Sequence, residues 1–277
     1  MPELPEVETV RAGLAASVVG AKVTGVEVHD ARSLKRHQGS PKDFVQTLTG
    51  KTIDSVVRRG KFLWLPLADS DLCLIGHLGM SGQMLLRTPG FEADKLNRVT
   101  ILLDTKDGPL EFRFVDQRIF GSLALDPLVA TADGGAGGFG SAIKVIPTQA
   151  AHIARDPLDP EFDEARVLAL FKKKNSGIKR VLLDQGVLSG IGNIYASESL
   201  FRAGISPLRA ANRISRERYG RDELEGQLRN TLVAGISDLF GESGVPFIDM
   251  AANQSLFSEK LKEVIAQEFT KRGLQLT

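Results

Sequence analysis

TADGGAGGFG, residues 131–140, separates two halves of the chain that obey different periodicities. Five of its ten residues are glycine, so it lacks both the side chains to pack and the stiffness to hold a helix or strand. The following VIPTQAAHIARDPLDPEFD (145–163) is punctuated by prolines. The hinge is therefore expected here. Upstream, KVTGVEVHD (22–30), TIDSVVRR (52–59), KFLWLPLA (61–68), DLCLIGH (71–77), GQMLLR (82–87), RVTILLD (98–104), LEFRFV (110–115) and FGSLAL (120–125) are short, with alternating or wholly apolar patterns and turn residues between them. Eight such runs after a short helix-like start predict a sandwich or a barrel. Downstream of Asp163, apolar residues recur at three- and four-residue spacing in EARVLALFKKK (164–174), IKRVLLDQ (178–185), NIYASESLFRAG (193–204), RDELEGQLRNTLVAGISDLF (221–240) and SEKLKEVIAQEF (258–269). GVLSGIGN (186–193) and GISPLRAAN (204–212) break these helices. The expected class is α+β: a β domain over 1–135, a linker over 136–160 and a helical domain over 161–277.

Composition narrows the function. Hydrophobic residues make up 42% and charged residues 25%, as in a globular domain, and no apolar run reaches the ~18 residues of a membrane span. The acidic start MPELPEVETV has no signal-peptide pattern, so a cytoplasmic protein without membrane contact is expected. One cysteine, Cys73, excludes an intrachain disulfide and a cysteine-rich zinc site. No metal or other cofactor is expected. The net charge is only +1, yet residues 165–230 hold 13 basic and 6 acidic side chains. That local surplus suits a phosphate backbone, and equally a solvated helix face.

Met1-Pro2-Glu3-Leu4-Pro5-Glu6 carries the chemistry of interest. Removal of Met1 would leave Pro2 with a free secondary amine, whose pKa near ~8 keeps much of it nucleophilic at neutral pH. Such an amine can attack a sugar C1′ and form an iminium, which links base removal to strand cleavage by β-elimination. Glu3 could protonate the opening sugar ring, and Glu6 could orient the amine. Read alone, the same residues are more simply a helix start, with proline and acids complementing the helix dipole.

MPELPEVET resembles the N-terminal signature of the bacterial formamidopyrimidine-DNA glycosylase family, within the Fpg/Nei superfamily, and four further motifs follow in order. Arg59-Gly60-Lys61 resembles a hairpin with an essential lysine. His77-Leu78-Gly79-Met80-Ser81-Gly82 and Asp116-Gln117-Arg118-Ile119-Phe120-Gly121 resemble the HLGMSG and D-x-R-x-F-G loops. Gly190-Ile191-Gly192-Asn193-Ile194-Tyr195-Ala196 resembles the centre of a helix-two-turn-helix (H2TH) element. The resemblance implies an N-terminal β-sandwich followed by an H2TH domain. It assigns Pro2, Glu3, Glu6 and Lys61 to catalysis, and His77, Lys179 and Asn193 to phosphates. Met80, Arg118 and Phe120 would fill the gap left by a base turned out of the stack. The residues themselves leave other readings open: core packing for Met80 and Phe120, a core histidine for His77, an exposed hairpin lysine for Lys61, and an N-cap at Asn193, where backbone N–H groups would form an anion site.

One part of the pattern is missing. Relatives of this type end in a zinc finger of C-x₂-C spacing, whose arginine grips DNA. Here the chain after Phe257 has no cysteine, and no residue takes that arginine's role; nothing supports Arg272. Ile119 also stands where relatives often have a basic residue. The implied activity is base-excision repair: a monomeric, bacterial, nucleoid-associated glycosylase removing 8-oxoguanine and formamidopyrimidines from double-stranded DNA and cleaving abasic sites. The alternative is a DNA-binding protein with abasic-site lyase activity only, or none. A plain β-sandwich interaction module would leave the ordered motifs unexplained.

Overall fold

The computed structural model describes residues 2–214. The elements run α1 (Leu4–Val18), β1 (Lys22–Val28), α2 (Pro41–Leu48), β2 (Val57–Arg59), β3 (Phe62–Pro66), β4 (Leu72–His77), β5 (Gly82–Arg87), β6 (Asn97–Thr105), β7 (Gly108–Asp116), β8 (Ser122–Ala130), β9 (Val145–Pro147), α3 (Glu164–Lys172), α4 (Ile178–Leu182) and α5 (Asn193–Arg202). Each of the eight expected strands is present. The expected helices over 221–240 and 258–269, and Arg272, lie outside the described residues.

The strands form two antiparallel sheets, ordered β1-β6-β7-β5 and β2-β3-β4-β8-β9. Alternation dictates how they stack. Leu63, Leu65, Leu74, Leu123 and Leu125 point from the five-stranded sheet into one core with Val99, Ile101, Leu103, Phe112 and Phe114 of the other. The intervening Trp64, Cys73, Ile75 and Ala124 face a second cluster, closed by Ile146 and Ala150. The five-stranded sheet is thus buried on both faces, which explains its wholly apolar runs. Within the stretch expected as a linker, β9 pairs with β8 and covers that second face. The pattern missed α2 and β9 because each is a short element with a proline at one end.

Strand register gathers the functional loops at one end of the sandwich. Arg59 pairs with Phe62, making Gly60-Lys61 a two-residue hairpin tip. Phe62 pairs with His77, and His77 with Ser122. In the other sheet Gly82 pairs with Asp116. The crossovers 78–81 and 117–121, both passing between the sheets, therefore lie side by side, next to the hairpin tip.

A third cluster belongs to the helices: Phe171, Ile178, Val181, Leu182, Val187, Ile191, Tyr195 and Leu200. Leu4, fully buried, joins this cluster rather than the sandwich core. The two halves are also joined by a buried ion network. Arg58, with no exposed surface, donates to Glu8 Oε2 of α1 at 2.8 Å and to Asp156 Oδ2 at 2.7 Å. Asp156 Oδ2 also accepts the Gly60 N–H at 2.8 Å. Charges at this depth are tolerable only when paired, and removing one partner strands the other. Asp156→Ala should therefore lower stability by ~3–5 kcal/mol in urea denaturation, and a loss below ~1 kcal/mol would contradict the role given to this network.

Candidate active site and nucleic-acid interface

α1 starts where proline and glutamate predict a helix start. Glu3 is its N-cap residue, and the Glu6 carboxylate accepts the Glu3 N–H at 3.0 Å. Pro2, half-buried, immediately precedes it. The Glu3 side chain does something the sequence reading did not foresee. It is buried at 3% exposure and reaches the first turn of α5, 190 positions along the chain. There Oε2 accepts the N–H groups of Gly192 at 2.7 Å and Tyr195 at 3.2 Å, and Oε1 accepts that of Ile194 at 2.9 Å. These donors have no partner within the helix, and the dipole favours a negative charge among them. A hydrogen bond to a charged group is worth about 1.5–3 kcal/mol, so three on one carboxylate form a strong joint.

This arrangement corrects the reading of Asn193. Gly192, not Asn193, is the N-cap residue of α5, and the helix's anion site is filled by Glu3 rather than open to a phosphate. Glycine at 192 has a steric cause, because a Cβ there would overlap the Glu3 carboxyl group. The Leu4 N–H donates to the Gly190 carbonyl at 3.1 Å, fixing the same joint through the backbone. Asn193 itself is exposed at the first position of α5. Lys179, in α4, is held beside it: Nζ donates to Ser197 Oγ at 2.9 Å, and Ser197 Oγ donates to the Asn193 carbonyl at 2.8 Å. The structure thus brings together the two residues expected to hold phosphate on the helical side.

Lys61 extends from the hairpin tip across the domain boundary. Nζ donates to the Ile191 carbonyl at 3.0 Å. Burial lowers its pKa, opposed by the charges of Glu3 and Glu6, so these three groups share one electrostatic site. Burial also raises the Glu6 carboxyl above the ordinary value, with the Glu3 charge adding to the effect. Tyr195, buried beside them, has its hydroxyl pushed well up, chiefly by burial.

His77 lies half-buried against the Phe62 ring, with centroids 5.0 Å apart. Its pKa falls to about 4, through burial first and then the charges of Arg36, Lys61 and Lys35. Nδ1 accepts the Gly79 N–H at 3.1 Å, which puts the hydrogen of the neutral ring on Nε2. His77 is therefore a neutral donor at the loop end of β4. Met80 and Phe120 are 48% and 54% exposed, so neither packs in the β core. Arg118 is exposed on the same crossover as Phe120.

Two groups were not legible in the motifs. Arg58 and Asp156, which fix the hairpin, are 98 positions apart and match no pattern. Asp116 was visible only as a letter of the D-x-R-x-F-G loop. Among the described residues no group of three or more His, Cys, Asp or Glu could hold a metal ion, and no helix is long and apolar enough to cross a membrane. Cys73, the chain's one cysteine, is buried in β4 with Sγ against the Asp126 carbonyl, so a four-cysteine zinc site does not fit this chain.

Glu6 permits a test by linkage. Its pKa in the fold lies above 4.5, so the stability it contributes is complete below pH ~4.5 and is lost as pH rises through the raised value. Gln keeps the acceptor for the Glu3 N–H but does not titrate. The Tm of Glu6→Gln relative to wild type should rise between roughly pH 4 and pH 7; a flat or falling difference would contradict the buried, proton-retaining environment.

Known proteins resemble this chain over most of its length. The family model of the formamidopyrimidine-DNA glycosylase N-terminal domain matches residues 1–123, and that of the formamidopyrimidine-DNA glycosylase H2TH domain matches residues 153–243. Residues 215–277 match a different model, the SPFH domain-Band 7 family, so 215–243 fall under both. A formamidopyrimidine-DNA glycosylase of Leifsonia xyli is 47% identical over 263 residues, covering 94% of this chain and 88% of that protein. One from a Nocardioides species is 44% identical over 253 residues, covering 91% and 79%. Among solved structures, Lactococcus lactis Fpg in complex with an abasic-site-containing DNA aligns with TM-score 0.66 at 30% identity, covering 85% of this chain and 79% of that one. Its complex with a Fapy-dG-containing DNA aligns with TM-score 0.66 at 30% identity, covering 85% and 80%.

Proposed function

The chain belongs to the formamidopyrimidine-DNA glycosylase family, and from that premise we propose that it excises oxidised purines from double-stranded DNA and cleaves the resulting abasic site through the amine of Pro2. The observation that carries this reading is the convergence of Pro2, Glu3, Glu6 and Lys61 at the domain boundary, beside the loops bearing His77, Met80, Arg118 and Phe120. A base-excision enzyme needs a nucleophile at the sugar and a wedge in the duplex, held at a fixed separation.

In the proposed course, Met1 is removed and the Pro2 nitrogen forms a bond to C1′. The base leaves with the electrons of the glycosidic bond and takes up a proton. The ring then opens as the C1′–O4′ bond breaks and O4′ accepts a proton from Glu3, giving an iminium. Loss of a C2′ proton expels the 3′ phosphate, and water later releases Pro2. Glu3 must give up one backbone N–H partner when it is protonated. Glu6, whose carboxyl burial makes more basic, is the adjacent group suited to relay that proton. Lys61 and neutral His77 are proposed to hold phosphate or sugar oxygens on the β side, and Lys179 and Asn193 on the helical side. Such contacts set position and affinity rather than sequence preference.

The course needs no metal or cofactor, because the amine supplies the covalent step. A monomer acting in the cytoplasm, held at the nucleoid by its DNA, accords with this reading. One observation favours a narrower activity. Residues 215–277 contain no cysteine, and beyond the H2TH match, which ends at 243, they match another family's model, so a cysteine-ligated zinc finger has no ligands within them. An enzyme weakened in this way would retain abasic-site cleavage while losing base excision.

Borohydride trapping separates the two. With Met1 removal verified by mass spectrometry, a covalent adduct is expected with both an 8-oxoguanine duplex and an abasic duplex. An adduct with abasic DNA alone would support the narrower activity, and none with either would overturn the amine nucleophile.

A further inference from the structure

The two crossovers bearing Met80, Arg118 and Phe120 are tied to one buried carboxylate that plays no part in the chemistry. Asp116 closes β7 and has no exposed surface. Its Oδ1 accepts the Ser81 hydroxyl at 2.7 Å and the Arg118 N–H at 3.1 Å, while Oδ2 accepts the Gly121 N–H at 2.8 Å. One side chain therefore grips both crossovers, and it brackets 118–121 at both ends. The Arg118 N–H is also 3.3 Å from Ser81 Oγ. Their backbones touch: Gly79 has φ +62, and a Cβ there would lie 2.5 Å from the Gly121 nitrogen.

The gripped segment is strained. Ile119, β-branched, has φ +56, a left-handed conformation that such residues rarely adopt. Lys35 Nζ holds that turn from outside, donating to the Ile119 carbonyl at 2.8 Å and the Phe120 carbonyl at 3.2 Å. Strain of this kind persists only where the surroundings over-determine it. Here its consequence is that Phe120 and Met80 stand out into solvent together. A loose loop would fold these apolar side chains back on the protein, because exposing them costs free energy.

We propose that Asp116 is a positioning residue that, through Ser81 and the amides of Arg118 and Gly121, locks both crossovers in the erect form that enters the duplex. The proposal rests on the reading that Met80, Arg118 and Phe120 fill the vacated base position. Asp116 would act before bond breaking, by sparing the protein the ordering of two loops at the moment of insertion.

The test uses the full-length chain and a duplex with a stable abasic analogue opposite 2-aminopurine, whose fluorescence reports unstacking. Ser81→Ala and Asp116→Asn should slow the fluorescence change about tenfold while the salt dependence of binding stays as in wild type. Ser81→Thr, which keeps the hydroxyl, should restore most of the rate. Ser81 is only half-buried, so its variants decide the matter if Asp116→Asn fails to fold. Wild-type rates in folded Ser81→Ala, or equal losses of rate, affinity and Tm, would overturn the positioning role. A wild-type protein that gives no fluorescence change would instead overturn the gap-filling reading, and the positioning role with it.

Discussion

The structure depends on one contact across its domain boundary: the Glu3 carboxylate seated on the first-turn N–H groups of α5. That contact decides where the N-terminus of the chain lies. The first residues of a domain are usually loose, because their backbone groups can turn to water at no cost. Here the last residue before α1 carries a buried charge that accepts three backbone N–H groups of the opposite domain. Leu4 follows Glu3 into the helical core, and Lys61 closes the same boundary from the hairpin side. Pro2 is consequently held on the seam between the sandwich and the helices rather than swinging on a frayed end.

The same contact closes the N-terminus of α5. An open helix N-terminus attracts phosphate. Glu3 occupies it here, so in the proposed function phosphate recognition falls to side chains, and Lys179 and Asn193 are linked through Ser197 at the edge of that turn. The buried Arg58 network supports the arrangement from beneath, since Asp156 binds both the guanidinium and the hairpin backbone that carries Lys61. Positioning of this kind matters to catalysis because a misplacement of ~1 Å at the reacting atoms can cost about a hundredfold in rate.

Much of this was legible in the sequence, for identifiable reasons. The eight strands were readable because alternation reports burial on one face, and the wholly apolar runs reported burial on both. Met80 and Phe120 stood beside glycines, and glycine marked the loops correctly. Short elements such as β9 and α2 carry too few residues for periodicity to register. The role of Glu3 was hidden for a different reason. Its partners are backbone N–H groups 190 positions away, and backbone donors leave no signature in side-chain pattern. The glycine at 192 was the available signal, and its cause became visible only with the carboxyl group beside it. Asp116 was hidden similarly, since two of its three partners are amides. Buried carboxylates that bind backbone are the class of residue that motif reading systematically underrates.

Amide hydrogen exchange resolved at Gly192, Ile194 and Tyr195 tests the central contact most directly. In Glu3→Ala, exchange at these three positions should quicken by about tenfold or more relative to wild type, while amides deeper in α5, such as Leu200, change far less. Unchanged protection at the three first-turn amides would contradict the claim that Glu3 seats the N-terminus on α5.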